Sequence, residues 1–233
     1  FLNGTIDREM ALIFVGDGET GKTSVIRALM SDQGISQHIA LDDRTRAIQL
    51  SIWHPQASAQ SPIFNVYDFA GTPIYKNMQL SLCLLRRALY CLTWRPFRRL
   101  TESECPPRAP GAPADSTDAV YRVRSHGLCT RAEIVPHLQR QVTEWISTLY
   151  RRIPGFYFLL IATQADMVGE DDLAWQANVV EEAVATQLSA LRERYSYVAA
   201  ANLLNSGESV RVSAKTGANI AHLTKVLIRE TRQ

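Results

Sequence analysis

The sequence predicts a three-layer α/β fold with a mostly parallel sheet. Three observations carry this expectation. Short apolar runs alternate with longer stretches of helical periodicity, as strands joined by crossover helices require. The first apolar run, Met10 to Val15, leads directly into a glycine-rich turn. Of the 233 residues 46% are apolar and 21% charged, values of an ordinary folded domain that exclude a disordered tail, a collagen or a coiled-coil rod.

Taken in order, Met10–Val15 reads as a buried strand, and Val25, Ile26, Leu29 and Met30 fall at helical spacing over residues 22 to 31. Residues 46 to 53 alternate as a half-buried strand does, and Ile63–Tyr67 is another short strand. Met78–Leu85 suggests a helix and Ala88–Trp94 a buried strand. Composition then changes. Residues 95 to 131 hold five of the ten prolines, seven arginines and four acids, and no apolar periodicity survives from Arg98 to Arg131. Residues 98–131 are therefore expected to form a long loop or disordered insertion. Order resumes with Leu138, Val142, Trp145 and Leu149 on one helical face, then a buried strand at Phe156–Ala162. Leu173, Ala177, Val180, Val184, Leu188 and Leu191 mark a helix over 172–194, Ser209–Val212 a short strand, and Ile220, Leu223 and Leu227 a last helix.

The net charge of +2 is too small to argue for nucleic acid or a membrane surface. Arginines outnumber lysines 21 to 4, which is read first as codon bias. Cys83, Cys91, Cys105 and Cys129 have no CxxC or metal spacing, so a reducing, cytoplasmic compartment is the expectation. The longest uninterrupted apolar run, Phe156–Ala162, is too short to span a bilayer, and no signal pattern opens the chain. The first residue is Phe1, which suggests a fragment of a longer protein.

The strongest chemical signal is Gly16-Asp17-Gly18-Glu19-Thr20-Gly21-Lys22-Thr23, which matches G-x-x-x-x-G-K-[ST] between a strand and a helix. Such a loop turns its N–H groups onto phosphate oxygens at a helix N-terminus. Lys22 would bridge the β- and γ-phosphates, and the Thr23 hydroxyl would ligate Mg²⁺. Asp68-Phe69-Ala70-Gly71 ends a strand with D-x-x-G, placing Asp68 to hold Mg²⁺ and the Gly71 N–H to sense a γ-phosphate. Thr163-Gln164-Ala165-Asp166 ends another. A buried Asp166 carboxylate could accept from guanine N1–H and N2–H₂, donors that adenine lacks. Ser213-Ala214-Lys215 ends the next strand, where the Ala214 N–H could meet guanine O6. Ligands of open parallel sheets bind along this edge. Thr45, between the first helix and second strand, could lay its hydroxyl on Mg²⁺, or be a solvated loop threonine; His38 could stack on a base or simply sit at the surface.

These residues resemble the Ras-like small GTPases, and among them the Roc domains of Roco proteins. The resemblance rests on GDGETGKTSVI at 16 to 26 (hence also Ser24), DFAG at 68 to 71, EWISTL at 144 to 149 ahead of FYFLLIATQAD, and the Thr163-Gln-Ala-Asp form of the base motif. It covers the chain except residues 98 to 131, so 1–233 is expected to be one Ras-like domain with an insertion. It implies a six-stranded sheet with one antiparallel edge strand, GTP and GDP as ligands, and Mg²⁺. It also implies leucine-rich repeats upstream and a COR region downstream, often with a kinase, and allows a homodimer.

Three departures from the family pattern matter. Thr72 stands where Ras proteins carry the water-orienting Gln, so hydrolysis is expected to be slow. Gln164 replaces the lysine whose stem packs on the base. The insertion is longer than the family leads one to expect. A slow GTPase switch is the main expectation, with Lys22, Thr45, Gly71 and Thr72 in the hydrolytic roles. A non-catalytic nucleotide-binding dimerisation scaffold is the alternative that Thr72 keeps open. An ATPase or kinase is disfavoured by Asp166 and Ser213-Ala-Lys.

Overall fold

The computed structural model of the chain describes residues 9–36, 48–56, 61–69, 88–104, 120–123 and 127–231. The helix expected at Met78–Leu85 lies outside these residues. Strands β1 (Glu9–Val15), β2 (Ile48–Trp53), β3 (Ile63–Phe69) and β4 (Ala88–Trp94) precede a hairpin, β5 (Val120–Val123) and β6 (Gly127–Thr130). Then come β7 (Tyr157–Ala162), β8 (Asn202–Leu203) and β9 (Val210–Arg211). The helices are α1 (Lys22–Met30), α2 (Arg131–Arg152), α3 (Glu170–Arg194) and α4 (Ile220–Glu230).

The main sheet runs β2-β3-β1-β4-β7-β8, with β9 also on β7. β2 pairs antiparallel with β3 at the edge; every other pairing in this sheet is parallel. Among the described residues the sheet has seven strands where six were expected, because two short pieces fill its last position. β8 pairs with Tyr157–Phe158 and β9 with Ile161–Ala162. The turn Asn205–Gly207 between them has three successive residues with positive φ, which breaks the extended run.

Both faces of the sheet are covered, so its central strands read as unbroken apolar runs. Ile13 and Val15 of β1 point into a core shared with α2 and α3, while Leu12 and Phe14 point into a second core shared with α1 and α4. Each fully buried aliphatic or aromatic side chain here contributes about 1.5–3 kcal/mol relative to leaving it in water. α3 buries the six predicted positions and starts on Glu170, Asp171 and Asp172 with arginines in its last turn, an order that complements the helix dipole. Among the described residues no helix is long and apolar enough to cross a membrane.

The expectation of loop or disorder over 98–131 needs correction for its described residues. Leu100 is buried and its N–H donates to the Val120 carbonyl at 2.8 Å, while Arg99 bridges to Tyr121. Tyr121, Val123 and Cys129 of the hairpin join the α2–α3 core. The Tyr121 hydroxyl donates to Asp172 at 2.6 Å. The hairpin strands are four residues each, too short for alternation to register against a Pro/Arg-rich background. α2 likewise starts earlier than its apolar face suggested. Thr130 caps it in a reciprocal box, its N–H donating to the Glu133 carboxylate at 2.7 Å and its hydroxyl accepting from the Glu133 N–H.

Candidate functional site

β1 delivers its chain to the sheet's carboxyl edge, where residues 16–21 wrap back before α1 begins. Gly16 has φ 148°, and a Cβ there would lie 2.4 Å from the Thr93 hydroxyl and 2.5 Å from its carbonyl, so only glycine fits between β1 and β4. Gly21 caps α1 with φ 78°. Glu19 adopts φ 67° without being glycine. Lys22 is 5% exposed, and its ammonium donates to the carbonyls of Gly16 at 2.8 Å and Asp17 at 2.7 Å. Burial lowers its pKa to about 8, against the pull of Asp68 and Asp17 in the other direction. The lysine thus folds back over the loop at the N-terminus of α1.

Thr20 is buried, so its side chain faces inward: its hydroxyl shares a 2.8 Å hydrogen bond with that of Thr93 and donates to the Asp17 carbonyl at 2.9 Å. Gly18 is exposed and Ser24 half-buried in the first turn of α1. The Thr23 hydroxyl donates to Asp68 at 2.6 Å, bringing together two of the three residues expected at the cation. Asp68 is buried at the end of β3. A hydroxyl and a single carboxylate are the hard oxygen donors that Mg²⁺ takes beside phosphate, so the residues present fit that ion. Thr45, Gly71, Thr72 and His38 lie outside the described residues.

At the carboxyl end of β7, the Thr163 hydroxyl is buried and donates to the Thr20 carbonyl at 2.6 Å. Gln164, with φ 54°, donates its side-chain amide to the Glu19 carbonyl at 3.0 Å. Both therefore tie the β7 edge to the 16–21 loop. Asp166 is exposed, which corrects the expectation of a buried carboxylate. It is held by the buried Ser213, whose hydroxyl donates to it at 2.6 Å. Ala214 is buried and Lys215 exposed beside it.

Sequence reasoning missed a set of polar side chains that hold this edge. Thr93 sits inside the apolar run of β4, where a lone hydroxyl was the available signal; its hydroxyl also lies 3.1 Å from the Val15 carbonyl. Gln141 of α2 accepts from the Arg95 N–H and donates to the Arg95 carbonyl, both at 3.0 Å. Gln176 of α3 does the same to Phe97, at 2.8 and 2.9 Å. Each primary amide imitates a strand neighbour for the chain leaving β4. Trp145 lies on the apolar helical face that the sequence predicts, yet a buried indole N–H needs an acceptor, and it donates to the Asp17 carboxylate at 3.0 Å.

A phosphate-type loop closed by a lysine, set between the first strand and first helix of a parallel sheet, defines the class as a P-loop protein of the Ras-like type. Residues 11–105 match the family model of the Roc domain, "Ras of Complex, Roc, domain of DAPkinase". The similarity to the Roc domain thus spans 95 of the 233 residues. A solved structure, Roco2 RocCORdC from Methanosarcina barkeri bound to GDP, resembles the chain with a TM-score of 0.52 and 18% identity. The match covers 96% of this chain and 49% of that one, so the chain spans about half the length of the structure it matches. Comparison with curated proteins gives no match.

Proposed function

We propose that the chain is one guanine-nucleotide-binding domain that binds GTP and GDP with Mg²⁺ and hydrolyses GTP slowly, as a switch within a larger protein. The observation that carries this reading is the Lys22 ammonium lying over Gly16 and Asp17 at the mouth of α1. Displaced from two carbonyls to two phosphates, it would exchange neutral acceptors for charged ones in a water-poor site. The loop N–H groups between Asp17 and Thr23 would meet the remaining phosphate oxygens. Thr23 and Asp68 would hold Mg²⁺, which supplies charge neutralisation between the phosphates, with Thr45 joining from its loop.

Asp166 supports the choice of guanine. Its carboxylate stays accessible, and Ser213 fixes one oxygen so that the other can accept from the base. Gln164 keeps this turn in register with the phosphate loop through the Glu19 carbonyl, a tether that compensates for the absent lysine. Thr72, after Gly71, carries no amide to orient water, so single turnovers should run below the roughly 10⁻² s⁻¹ of GTPases with an arginine in cis. The GDP-bound RocCORdC neighbour supports both the nucleotide and a COR region in the parent chain. Leucine-rich repeats, a kinase, a homodimer and a cytoplasmic location complete the proposal by family resemblance.

The test is the identity of the nucleotide that co-purifies, followed by single-turnover hydrolysis of GTP and ATP under saturating Mg²⁺. The proposal expects GDP or GTP on the protein and slow, GTP-specific phosphate release. Bound GTP with no phosphate release would favour the scaffold alternative. Equal use of ATP would overturn the guanine assignment.

A further inference from the structure

The phosphate loop contains two acids, Asp17 and Glu19, in a place whose N–H groups and lysine favour anions. An untethered carboxylate there would compete with phosphate for the same donors and repel its charge. Neither acid is left to do so. The Trp145 indole, 2% exposed, donates to the Asp17 carboxylate at 3.0 Å. The Arg95 guanidinium lies 3.9 Å from the Glu19 carboxylate. Both tethers trace back to one stretch of α2. Trp145 and Gln141 are one helical turn apart, and Gln141 clamps the Arg95 main chain with two 3.0 Å hydrogen bonds.

We propose that Trp145 and Arg95 are positioning residues that hold the two loop carboxylates off the bound phosphates and thereby slow nucleotide release. The inference rests on the reading of residues 16–23 as a phosphate site, and deepens it. Trp145 acts as a fixed neutral donor that sets where the Asp17 charge sits. Arg95 neutralises Glu19 at the rim, where water screens the pair and its contribution is smaller. Because α2 carries both anchors, a shift of this helix along its axis would release both acids at once.

The experiment measures release of a fluorescent GDP analogue from the 233-residue chain, chased with excess GDP. Trp145→Phe should speed release about tenfold, the equivalent of losing one hydrogen bond to a charged group. Arg95→Gln should speed it about threefold, as expected of a part-exposed ion pair. The deciding readout is the background dependence. In Asp17→Asn the Trp145→Phe change, and in Glu19→Gln the Arg95→Gln change, should each alter release by less than about twofold, because the charge to be managed is gone.

Unchanged release in both single variants overturns the proposal. Equal acceleration with and without the acid also overturns it, since that is the signature of packing alone. If Trp145→Phe does not fold, the part-exposed Arg95–Glu19 cycle decides by itself. A wild-type chain that folds but binds no analogue removes the phosphate-site reading, and this proposal with it; binding with normal release in the variants removes this proposal alone.

Discussion

The proposed phosphate end and the proposed base end of the site are built differently. At the proposed phosphate end, Lys22, Thr20, Thr93 and Thr163 are buried and bonded to one another or to loop carbonyls, so the protein's own bonds set the loop's shape. At the base end, Asp166 and Lys215 are exposed and a single hydroxyl, Ser213, aims the carboxylate. Affinity should therefore come from the preformed, water-poor end, where charged hydrogen bonds are strong. Selectivity should come from the wet end, where a donor–acceptor mismatch is punished but a match gains little.

The sharpest way to break this comparison is Lys22→Ala. It should weaken nucleotide binding by at least about 100-fold while the far-ultraviolet circular dichroism stays unchanged, since two charge-assisted bonds disappear and a costly buried ammonium goes with them. Titration of a fluorescent GDP analogue checks it, and affinity within about twofold of wild type would sink the phosphate-loop assignment. Next in size is Asp166→Asn, which faces the N–H groups of guanine with a donor. GTP affinity should fall about 30-fold and xanthosine triphosphate should become the preferred ligand, read by competition. Retained preference for GTP would move base reading elsewhere.

A third effect is specific to the phosphate end. Burial puts the Lys22 pKa at about 8 instead of 10.5, whereas phosphate oxygens would raise it again. Binding above pH 8 must then take up a proton, so affinity should fall as pH rises, approaching tenfold per unit. Calorimetry in buffers of different ionisation enthalpy would detect that proton. The stability of the ligand-free chain has the opposite sign. Between about 8 and 10.5 the unfolded chain binds more protons at this position, so Lys22 makes stability rise with pH there, and Lys22→Ala should abolish the slope. The smallest change is Ser213→Ala. Loss of one hydrogen bond that aims Asp166 should reduce GTP affinity about threefold and leave discrimination against ATP in place; a collapse of discrimination would show that aiming, not charge, selects the base.

Most of the frame was legible because its signals are local and repeated. The apolar runs of β1, β4 and β7 and the helical faces of α2, α3 and α4 each declare themselves within a dozen residues. The 16–21 loop was legible as a strand-to-helix turn because its glycines stand where the backbone requires them. What escaped was polar and distant. Nothing in the sequence around Gln141 or Gln176 says that an amide on an apolar helix face will pair with the main chain of Arg95 or Phe97, 46 and 79 residues away. Trp145 could be placed in the core from periodicity, but its acceptor, Asp17, lies 128 residues earlier. Asp166 was expected to be buried because it follows a buried strand, yet the chain turns outward at Gln164, whose left-handed backbone ends the run. The hairpin at 120–130 was hidden by the composition around it.

The bond from Leu100 to Val120 and the amide clamps on Arg95 and Phe97 also bear on how this molecule could change over generations. Leu100 and Val120 are bonded to each other, and Arg95 and Phe97 are clamped from α2 and α3, so the described chain on either side of positions 105–119 is fixed. Lengthening a tether between fixed posts is inexpensive: doubling it adds only about 0.6 kcal/mol of closure entropy. Such a span can accept or lose residues, take up charge, or acquire a recognition motif while β4, α2 and the groove they border keep their register. Insertions between positions 105 and 119 are thus expected to leave the chemistry a few strands away unchanged.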